Sequence, residues 1–372
     1  MEQGSKRLMS LDALRGADML AIMGLSSLMG AICHAMGCDG SWFAQQFYHV
    51  KWDGLHFQDT IFPLFLFLAG VSFPFSCAKS LERGMTKGGV AWKSFRRAFA
   101  LFALGLVYNG VLNVGLGNVV WGSVLGRIGI AWFCATLAYL YLPAKWRVAL
   151  SAAILLGYWA SMVTFVAPDH PDALPLSPEG NISGYLDRIL LPGKLTVPGL
   201  YSNQGVLSTL PAVVTALLGM FTGDYVRRSH NSGGSKAGVL LVASVCLLAA
   251  GLFVAFGFGE WSMPLNKILW STSFTLVVGG YSMAMFTVFY WIIDVKGLQT
   301  WTFFFRVIGM NSITIYLAQK IIPFREIAKF FFGGVASLMP EAWGNVLIGL
   351  GYIVMCWLFL LFLYRKNVFL KA

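Results

Sequence analysis

Titratable side chains of the kind used in acid–base catalysis are concentrated in one stretch, YHVKWDGLHFQDTIFP, at residues 48–63. It contains two histidines, His49 and His56, and two aspartates, Asp53 and Asp59, directly before an almost entirely apolar segment. A neutral imidazole accepts a proton from an amine or a hydroxyl near pH 7. A carboxylate bound to the other ring nitrogen orients the ring and raises its basicity. The stretch therefore predicts a histidine–aspartate pair that acts as a general base.

Spacing alone favours His56 as the paired histidine, because His56 and Asp59 are three residues apart, as are Asp53 and His56. His49 precedes the predicted helix, where helical spacing carries no information. The alternative for either histidine is a hydrogen-bonded residue at the membrane interface. Trp52 and its aromatic neighbours are typical of an interfacial belt, with stacking on a sugar as the alternative.

The elements that must position these residues are membrane-spanning helices. Hydrophobic residues make up 57% of the 372 residues and charged residues 12%, against about 25% charged in soluble domains. Apolar runs of ~18 to 24 residues recur, each long enough to cross a bilayer as a helix. The predicted fold is all-α, a polytopic transmembrane bundle that forms a single domain over residues 1–372. The net charge of +11 lies in short loops beside apolar helices, which indicates membrane topology and not a nucleic-acid partner.

Ten spans are predicted, and an eleventh interfacial or re-entrant segment is expected within 181–205. The spans lie near 13–33, 57–77, 95–114, 123–142, 147–167, 206–226, 237–258, 270–293, 303–322 and 343–364. Basic residues are more frequent in one set of alternating loops, which places both termini in the cytoplasm and segments 34–56 and 168–205 outside. Lys6 and Arg7 precede an apolar run as in a signal peptide, but charges interrupt it, so the first helix is predicted to be retained.

Polar residues inside predicted spans are candidates for function because they are costly there. Asp12 and Arg15 are three residues apart and are expected to pair, either structurally or in a site. Asn311 and Ser312 are expected in a cavity wall or an interhelical hydrogen bond. Arg127 at the start of the fourth span either snorkels or holds a phosphate or carboxylate.

A run of basic residues between Lys79 and Arg97 is typical of a topology determinant in contact with anionic lipid. The alternative is a landing site for a polyphosphate nucleotide such as coenzyme A. The six cysteines show no metal-ligand spacing, so no metal is expected. Cys33 and Cys38 are near enough in sequence for a disulfide, although a packing role is favoured.

Several long motifs occur in an order that resembles the heparan-α-glucosaminide N-acetyltransferase family, part of a wider group of transmembrane acyltransferases that includes bacterial members. The resemblance covers roughly residues 6 to 365. The motifs are RLMSLDALRG, HVKWDGLHFQDTIFPLFLFLAGVS, SVLGRIGI, GVLSTLPAVVTALLGMFTG, PLNKILWSTSFTLVVGG, YWIIDVKG and GMNSITIYLAQ.

The resemblance implies an enzyme that takes acetyl-CoA from the cytosolic side and acetylates a glucosamine amine on the far side. The family's H-x-x-W-x-G-L motif falls on His49, with Trp52, Gly54 and Leu55 matching, and the family aspartate falls on Asp59. It therefore selects His49 over His56. Members of the lysosomal type have an asparagine where this chain has Ser26, and the chain is similar to a minimal bacterial membrane core.

From this resemblance we expect His49 either to carry the acetyl group or to act as base in direct transfer, with Asp59 as its partner. Candidate residues for the acceptor are Trp52, Asp53, Ser26, Asn311 and Ser312, and for coenzyme A they are Arg96, Arg97, Arg127 and Arg15. A homodimer in a bacterial inner membrane is expected. The competing hypotheses are a sugar or proton-coupled transporter and an O-acyltransferase for a cell-envelope glycan.

Overall fold

Helices form the whole architecture of the computed structural model, which describes residues 8–229 and 231–370. Lys6 and Arg7 lie outside the described residues. Within those residues there is no β-strand, only three isolated β-bridges. The predicted all-α class is confirmed.

The chain divides into two compact units. The first contains the described residues of Met1–Lys51, Leu55–Ile61 and Val288–Ala372. Its helices are α1 (Met9–Leu20), α2 (Ser26–Ala35), α3 (Trp42–Gln45), the first turn of α4 (Phe57–Glu82), α13 (Thr302–Gly309), α14 (Ser312–Ile321), α15 (Phe324–Ala336) and α16 (Glu341–Arg365). Two wider π-helical turns, Ala21–Leu25 and Tyr290–Val295, interrupt or extend the helices.

The second unit contains Trp52–Gly54 and Phe62–Thr287. Its helices are most of α4 (Phe57–Glu82), α5 (Lys87–Tyr108), α6 (Val111–Val114), α7 (Val124–Tyr141), α8 (Ala144–Thr164), α9 (Ile182–Leu190), α10 (Thr209–Arg228), α11 (Gly233–Phe256) and most of α12 (Thr272–Phe289). A short 3₁₀ turn occupies Gly259–Trp261. The predicted single domain over the whole chain stays a prediction.

Eight helical segments among the described residues are long and apolar enough to cross a membrane, and each coincides with a predicted span. This confirms an integral membrane protein. The two remaining predicted spans differ in form: α5 begins earlier than expected, at Lys87, and the segment predicted at 303–322 is divided into α13 and α14. The expected interfacial segment within 181–205 contains α9, which has nine residues.

Close backbone contact holds α1 against α13 in the first unit. A Cβ atom on Gly16 would lie 1.8 Å from the Phe305 carbonyl oxygen, and one on Gly309 would lie 2.0 Å from the Asp12 carbonyl oxygen. Beyond this crossing, the Ala21–Leu25 turn breaks the first span at Gly24, whose φ of 135° favours glycine. Ser26 then begins α2.

Small residues also bring α4 and α10 together in the second unit. A Cβ on Gly219 would lie 2.1 Å from the Phe67 carbonyl oxygen, and one on Gly70 would lie 2.2 Å from the Ala216 carbonyl oxygen. Gly219 and Gly223 are four residues apart on α10, which is the small-xxx-small spacing of closely packed membrane helices.

Candidate functional site

The beginning of α4 is capped by the short helix that precedes it in the first unit. The Ser41 hydroxyl accepts a hydrogen bond from the Ala44 N–H and begins α3. Gln46 then accepts from two N–H groups at the start of α4: its side-chain oxygen from Phe57 at 3.1 Å and its carbonyl from Gln58 at 3.0 Å. These bonds satisfy donors that a helix N-terminus leaves unpaired, and they fix the helix turn that carries Asp59.

The Asp59 carboxylate is buried and accepts several hydrogen bonds. His49 Nδ1 lies 2.7 Å from Oδ1, and Oδ2 accepts from the backbone N–H groups of Val50 at 3.3 Å and His56 at 3.2 Å. Its position in the first helical turn adds the favourable field of the helix N-terminus. A buried carboxylate with these donors is stable as an anion.

His49 presents its imidazole to the surroundings while its partner is hidden: its side chain is 57% exposed and that of Asp59 is 2% exposed. An ionised carboxylate only accepts hydrogen bonds, so with Asp59 ionised the His49 Nδ1 is the donor and Nε2 is the basic nitrogen. The geometry is that of an oriented general base or nucleophile.

A second histidine–aspartate pair in the same unit shows what distinguishes this one. His34 Nδ1 lies 2.9 Å from Asp39 Oδ2, nearly the same distance, but the Asp39 side chain is 55% exposed. Water competes for such a contact, so it contributes little. The burial of the carboxylate, and not the distance, sets the His49–Asp59 pair apart.

His56 contributes its backbone to Asp59 and not its ring. The His56 ring Nδ1 lies 2.9 Å from the Tyr48 carbonyl oxygen, whereas its N–H bonds to Asp59. The pairing of the His56 ring with Asp59, which local spacing favoured, is therefore wrong. His56 lies just before α4 begins, so the helical spacing rule does not apply to its side chain.

Ser26 is connected to the same helix turn through Gln58. The Ser26 hydroxyl donates to Gln58 Oε1 at 2.5 Å, and Gln58 is the chain neighbour of Asp59. Gln58 belongs to no catalytic pattern in the sequence, and its place beside the candidate aspartate at the start of a span is the one signal that points to it. The wider turn Ala21–Leu25 ends directly before Ser26.

Trp52 and Asp53 are held by segments of the second unit. The Trp52 indole N–H donates to the Leu176 carbonyl at 3.0 Å, and its ring centroid lies 4.9 Å from that of Tyr201. Asp53 Oδ1 accepts from the Asn266 amide at 3.1 Å. The motif tryptophan is thus fixed by the long 168–205 segment.

That long segment is ordered by two carboxylates. Arg188 binds Asp169 with two hydrogen bonds, of 2.6 and 2.7 Å, and these hold the pKa of Asp169 below its usual value. Asp187 accepts from the N–H groups of Ser202 and Val206. Burial raises the pKa of Asp187 although these N–H groups oppose the shift.

Asn311 and Ser312 lie at the break between α13 and α14 in the first unit, and both are buried. The Ser312 hydroxyl donates to the Gly309 backbone carbonyl at 2.9 Å, so this hydrogen bond is local. Asn311 Oδ1 accepts from Thr314, but its Nδ2 has no acceptor among the described residues.

Arg15 lies on α1, where its Nη1 is 3.8 Å from Asp12 Oδ1, so this predicted pair forms.

The other three arginines predicted for coenzyme A occupy separate places in the second unit. Arg127 is buried, donates to the Ser208 hydroxyl at 2.5 Å, and lines a cavity of about 180 Å³. Arg97 lies 4.9 Å from the centre of the Trp132 ring. Arg96 is exposed on α5.

Cys33 and Cys38 are free thiols, and the Cys38 thiol contacts the Cys33 carbonyl at 3.4 Å.

Residues 7–254 match the family model described as heparan-alpha-glucosaminide N-acetyltransferase, catalytic. This range covers about two thirds of the chain and includes both His49 and Asp59. The chain belongs to the heparan-alpha-glucosaminide N-acetyltransferase family. The family resemblance drawn from the motifs is confirmed.

Curated relatives extend the similarity beyond that range. The human heparan-alpha-glucosaminide N-acetyltransferase is 26% identical over an alignment 430 positions long, which covers 98% of this chain and 60% of the human protein. The mouse protein of the same name is 27% identical over an alignment 328 positions long, which covers 74% of this chain and 49% of the mouse protein. The chain therefore matches about half of the mouse protein's length and three fifths of the human protein's length.

Proposed function

We propose that the protein is a membrane-embedded N-acetyltransferase that moves an acetyl group from cytosolic acetyl-CoA to the amine of a glucosamine-type sugar. The His49–Asp59 pair carries this proposal, because it combines an exposed imidazole with a buried carboxylate that also accepts hydrogen bonds from the N–H groups of Val50 and His56. Membership of the family and the names of the relatives support the acetyl group and the amino-sugar acceptor.

In direct transfer, the sugar amine attacks the thioester carbonyl while His49 Nε2 takes a proton from the amine nitrogen. The bond between the carbonyl carbon and sulfur then breaks, and the leaving thiolate is protonated to give coenzyme A. Asp59 keeps the ring oriented and stabilises the imidazolium that forms. We favour this route because an extended pantetheine arm reaches across much of a hydrocarbon core of ~30 Å.

In the two-step route, His49 Nε2 itself attacks the thioester and coenzyme A leaves, so that an acetyl-imidazole forms. The sugar amine then attacks this intermediate and restores the ring. In both routes Asp59 orients His49. The routes differ in whether release of coenzyme A from acetyl-CoA needs the sugar to be present.

The remaining assignments follow the two substrates. Trp52, Asp53, Ser26, Asn311 and Ser312 are proposed for the acceptor, and Arg96, Arg97, Arg127 and Arg15 for the donor. The buried Asn311 Nδ2 is the strongest of the candidates for stabilising an oxyanion. It has no hydrogen-bond acceptor among the described residues, so its N–H groups can donate to the oxyanion. We further propose a homodimer in a bacterial inner membrane.

The test uses the full-length protein in detergent with acetyl-CoA and glucosamine. Thiol release and N-acetylglucosamine are followed together, the latter by mass spectrometry. We expect sugar-dependent turnover in the wild type and its loss in His49→Ala. We expect turnover to be retained in His34→Ala, which removes the exposed His34–Asp39 pair. Turnover that survives in His49→Ala would refute the role of this histidine.

Two further arms separate the alternatives. Thiol release without sugar, with one acetyl group on a His49 peptide, would establish the two-step route. Folded wild-type protein that moves glucosamine into vesicles without coenzyme A and never acetylates it would instead establish a transporter.

A further inference from the structure

Three arginines, one carboxylate and one phenol meet at one end of the second unit, where α7 and α10 end and α8 begins. The Asp224 carboxylate accepts from Arg228 Nε at 2.6 Å and from the Tyr139 hydroxyl at 2.8 Å. The guanidinium groups of Arg147 and Arg227 lie 3.7 and 3.6 Å from the same carboxylate. We call these five residues the arginine cluster.

The arginine cluster carries more positive than negative charge, with three guanidinium groups around one carboxylate. Arg147 is buried, and its guanidinium lies 4.4 Å from the centre of the Tyr139 ring and 5.7 Å from that of Phe221. Nε and Nη1 of Arg147 and Nε of Arg227 are buried and have no acceptor among the described residues. Unused donors on a buried cation are costly.

Local features offset only part of this surplus. The C-termini of α7 and α10 each contribute the equivalent of roughly half a negative charge. Snorkelling toward water accounts for Arg228, whose side chain is 60% exposed. It does not account for Arg147, which is buried beneath two aromatic rings. The cluster therefore still has the charge and the donors to receive an anion.

We propose that Arg147, Arg227 and Arg228 form a binding site for a phosphate group. The planar fork of a guanidinium matches phosphate oxygens with two parallel hydrogen bonds, and its aromatic packing keeps the fork oriented. The exposed Arg228 marks the side from which the ligand enters. The site lies at the end of the helices predicted to face the cytoplasm, and it is distinct from all four arginines that sequence analysis assigned to coenzyme A.

Two sources supply such a phosphate on this side: the adenosine 3′-phosphate and 5′-diphosphate of coenzyme A, and the headgroup of an anionic phospholipid. The first rests on the proposed acetyl-CoA-dependent function, whereas the phosphate site itself does not. Binding measurements that need no turnover therefore separate a failure of the site from a failure of the enzyme hypothesis.

The first experiment measures binding of coenzyme A and of pantetheine, which lacks every phosphate, to the delipidated full-length protein by isothermal titration calorimetry. Arg227→Gln and Arg228→Gln are expected to weaken coenzyme A binding by about tenfold or more, since each removes charge-assisted hydrogen bonds. Pantetheine binding should not change. Lys145→Gln is the matched control, because Lys145 is exposed on α8 two residues from Arg147 but outside the cluster.

A variant expected to raise the affinity for coenzyme A distinguishes a binding site from a merely structural role. Asp224→Asn removes the carboxylate that competes with the ligand, so coenzyme A should bind more tightly and should raise the unfolding temperature further than it does in the wild type. If the cluster only joins three helices, Asp224→Asn will lower the unfolding temperature and leave the affinity for coenzyme A unchanged, and the proposal is overturned.

Native mass spectrometry tests the second source with phosphatidylglycerol and phosphatidylcholine. Selective retention of phosphatidylglycerol that Arg227→Gln abolishes, with coenzyme A affinity unchanged, assigns the site to a lipid headgroup. If neither coenzyme A nor phosphatidylglycerol binding depends on the arginines, there is no phosphate site. Coenzyme A that binds through the cluster without acetylation of glucosamine would count against glucosamine as the acceptor and would leave the phosphate site standing.

Discussion

Asp59 illustrates how one buried carboxylate organises a loop as well as a ring. Its two oxygens bind the imidazole of His49 and the backbone N–H groups of Val50 and His56. The same atoms therefore close the chain between residues 50 and 56 and hold the ring of His49 in place. Loss of the charge should disturb the orientation of His49 more than the fold, because the helix that carries Asp59 is capped separately by Gln46.

Asp59→Asn is expected to lower kcat by about 10²- to 10⁴-fold, the range that a positioned acid–base group supplies. The asparagine keeps the shape but neither carries the charge that stabilises an imidazolium nor enforces the proton on Nδ1. The measurement is acetyl-CoA turnover with glucosamine, compared with Asp39→Asn in the exposed pair. Equal activity in the two variants would contradict the role given to Asp59.

Residue types in one stretch of sequence were enough to predict the pair, but not the geometry that forms it. Local spacing correctly placed His56 near Asp59 but did not show that the N–H, and not the ring, makes the contact. Family resemblance resolved the choice in favour of His49. Gln58 and Ser26 are 32 residues apart, and no pattern in either segment predicts their hydrogen bond.

At the scale of helices, the contact between α4 and α10 depends on the absence of side chains. Gly219→Ala places a methyl group 2.1 Å from the Phe67 carbonyl oxygen, so the helices must separate. We expect a loss of about 1–3 kcal/mol in the free energy of unfolding, the usual cost of overpacking. Gly238→Ala on α11 is the control, because nothing lies within 4 Å of its added atom. Thermal unfolding in detergent measures both, and equal midpoints would refute the contact.

The 168–205 segment should respond to acid through Asp169. Its pKa is lowered in the folded protein by hydrogen bonds from Arg188, so its contribution to stability is present above the unfolded pKa of about 3.9 and is lost as pH falls through the lower folded value. The difference in unfolding temperature between wild type and Asp169→Asn should therefore be largest near pH 6 and should shrink toward zero below the folded pKa. A difference that is constant with pH would show that the Arg188 bridge does not stabilise the fold.

Apolar run length predicted eight helices within a few residues, because a span must match the thickness of the bilayer. The two helix breaks were not predicted. The turn at Ala21–Leu25 depends on φ at a single glycine, and the break at Asn311 depends on packing that no local pattern records. Glycine is common in membrane helices, so its presence alone does not indicate a break.

At the scale of the whole molecule, the distribution of basic residues predicts that both termini lie in the cytoplasm. In a cysteine-free variant, Asp172→Cys in the long outer segment should react with a membrane-impermeant maleimide in intact cells. Asn231→Cys, between α10 and α11, should react only in inverted vesicles; both positions are exposed in the structure. Labelling of both positions from the same side would overturn the topology.

The arginine cluster shows the limit of prediction at this scale. Its residues come from three helices. In the sequence, nothing distinguishes the three arginines from the other positive charges predicted for the inner loops. Only the folded chain shows that they surround one carboxylate. Composition and periodicity predict which segments cross the membrane, whereas the sites depend on which helices become neighbours.

The position of α5 has a consequence for biosynthesis. This helix has Lys87, Lys93, Arg96 and Arg97 in its first three turns and does not reach the apolarity of the eight clear spans. The insertion machinery should therefore release it poorly into lipid when it first emerges from the ribosome. Since α7 approaches α5 closely at Gly129, where a Cβ would lie 2.8 Å from the Ala98 carbonyl oxygen, we expect the two to enter the bilayer as a hairpin. A ribosome stalled before α7 is complete should leave α5 accessible to protease.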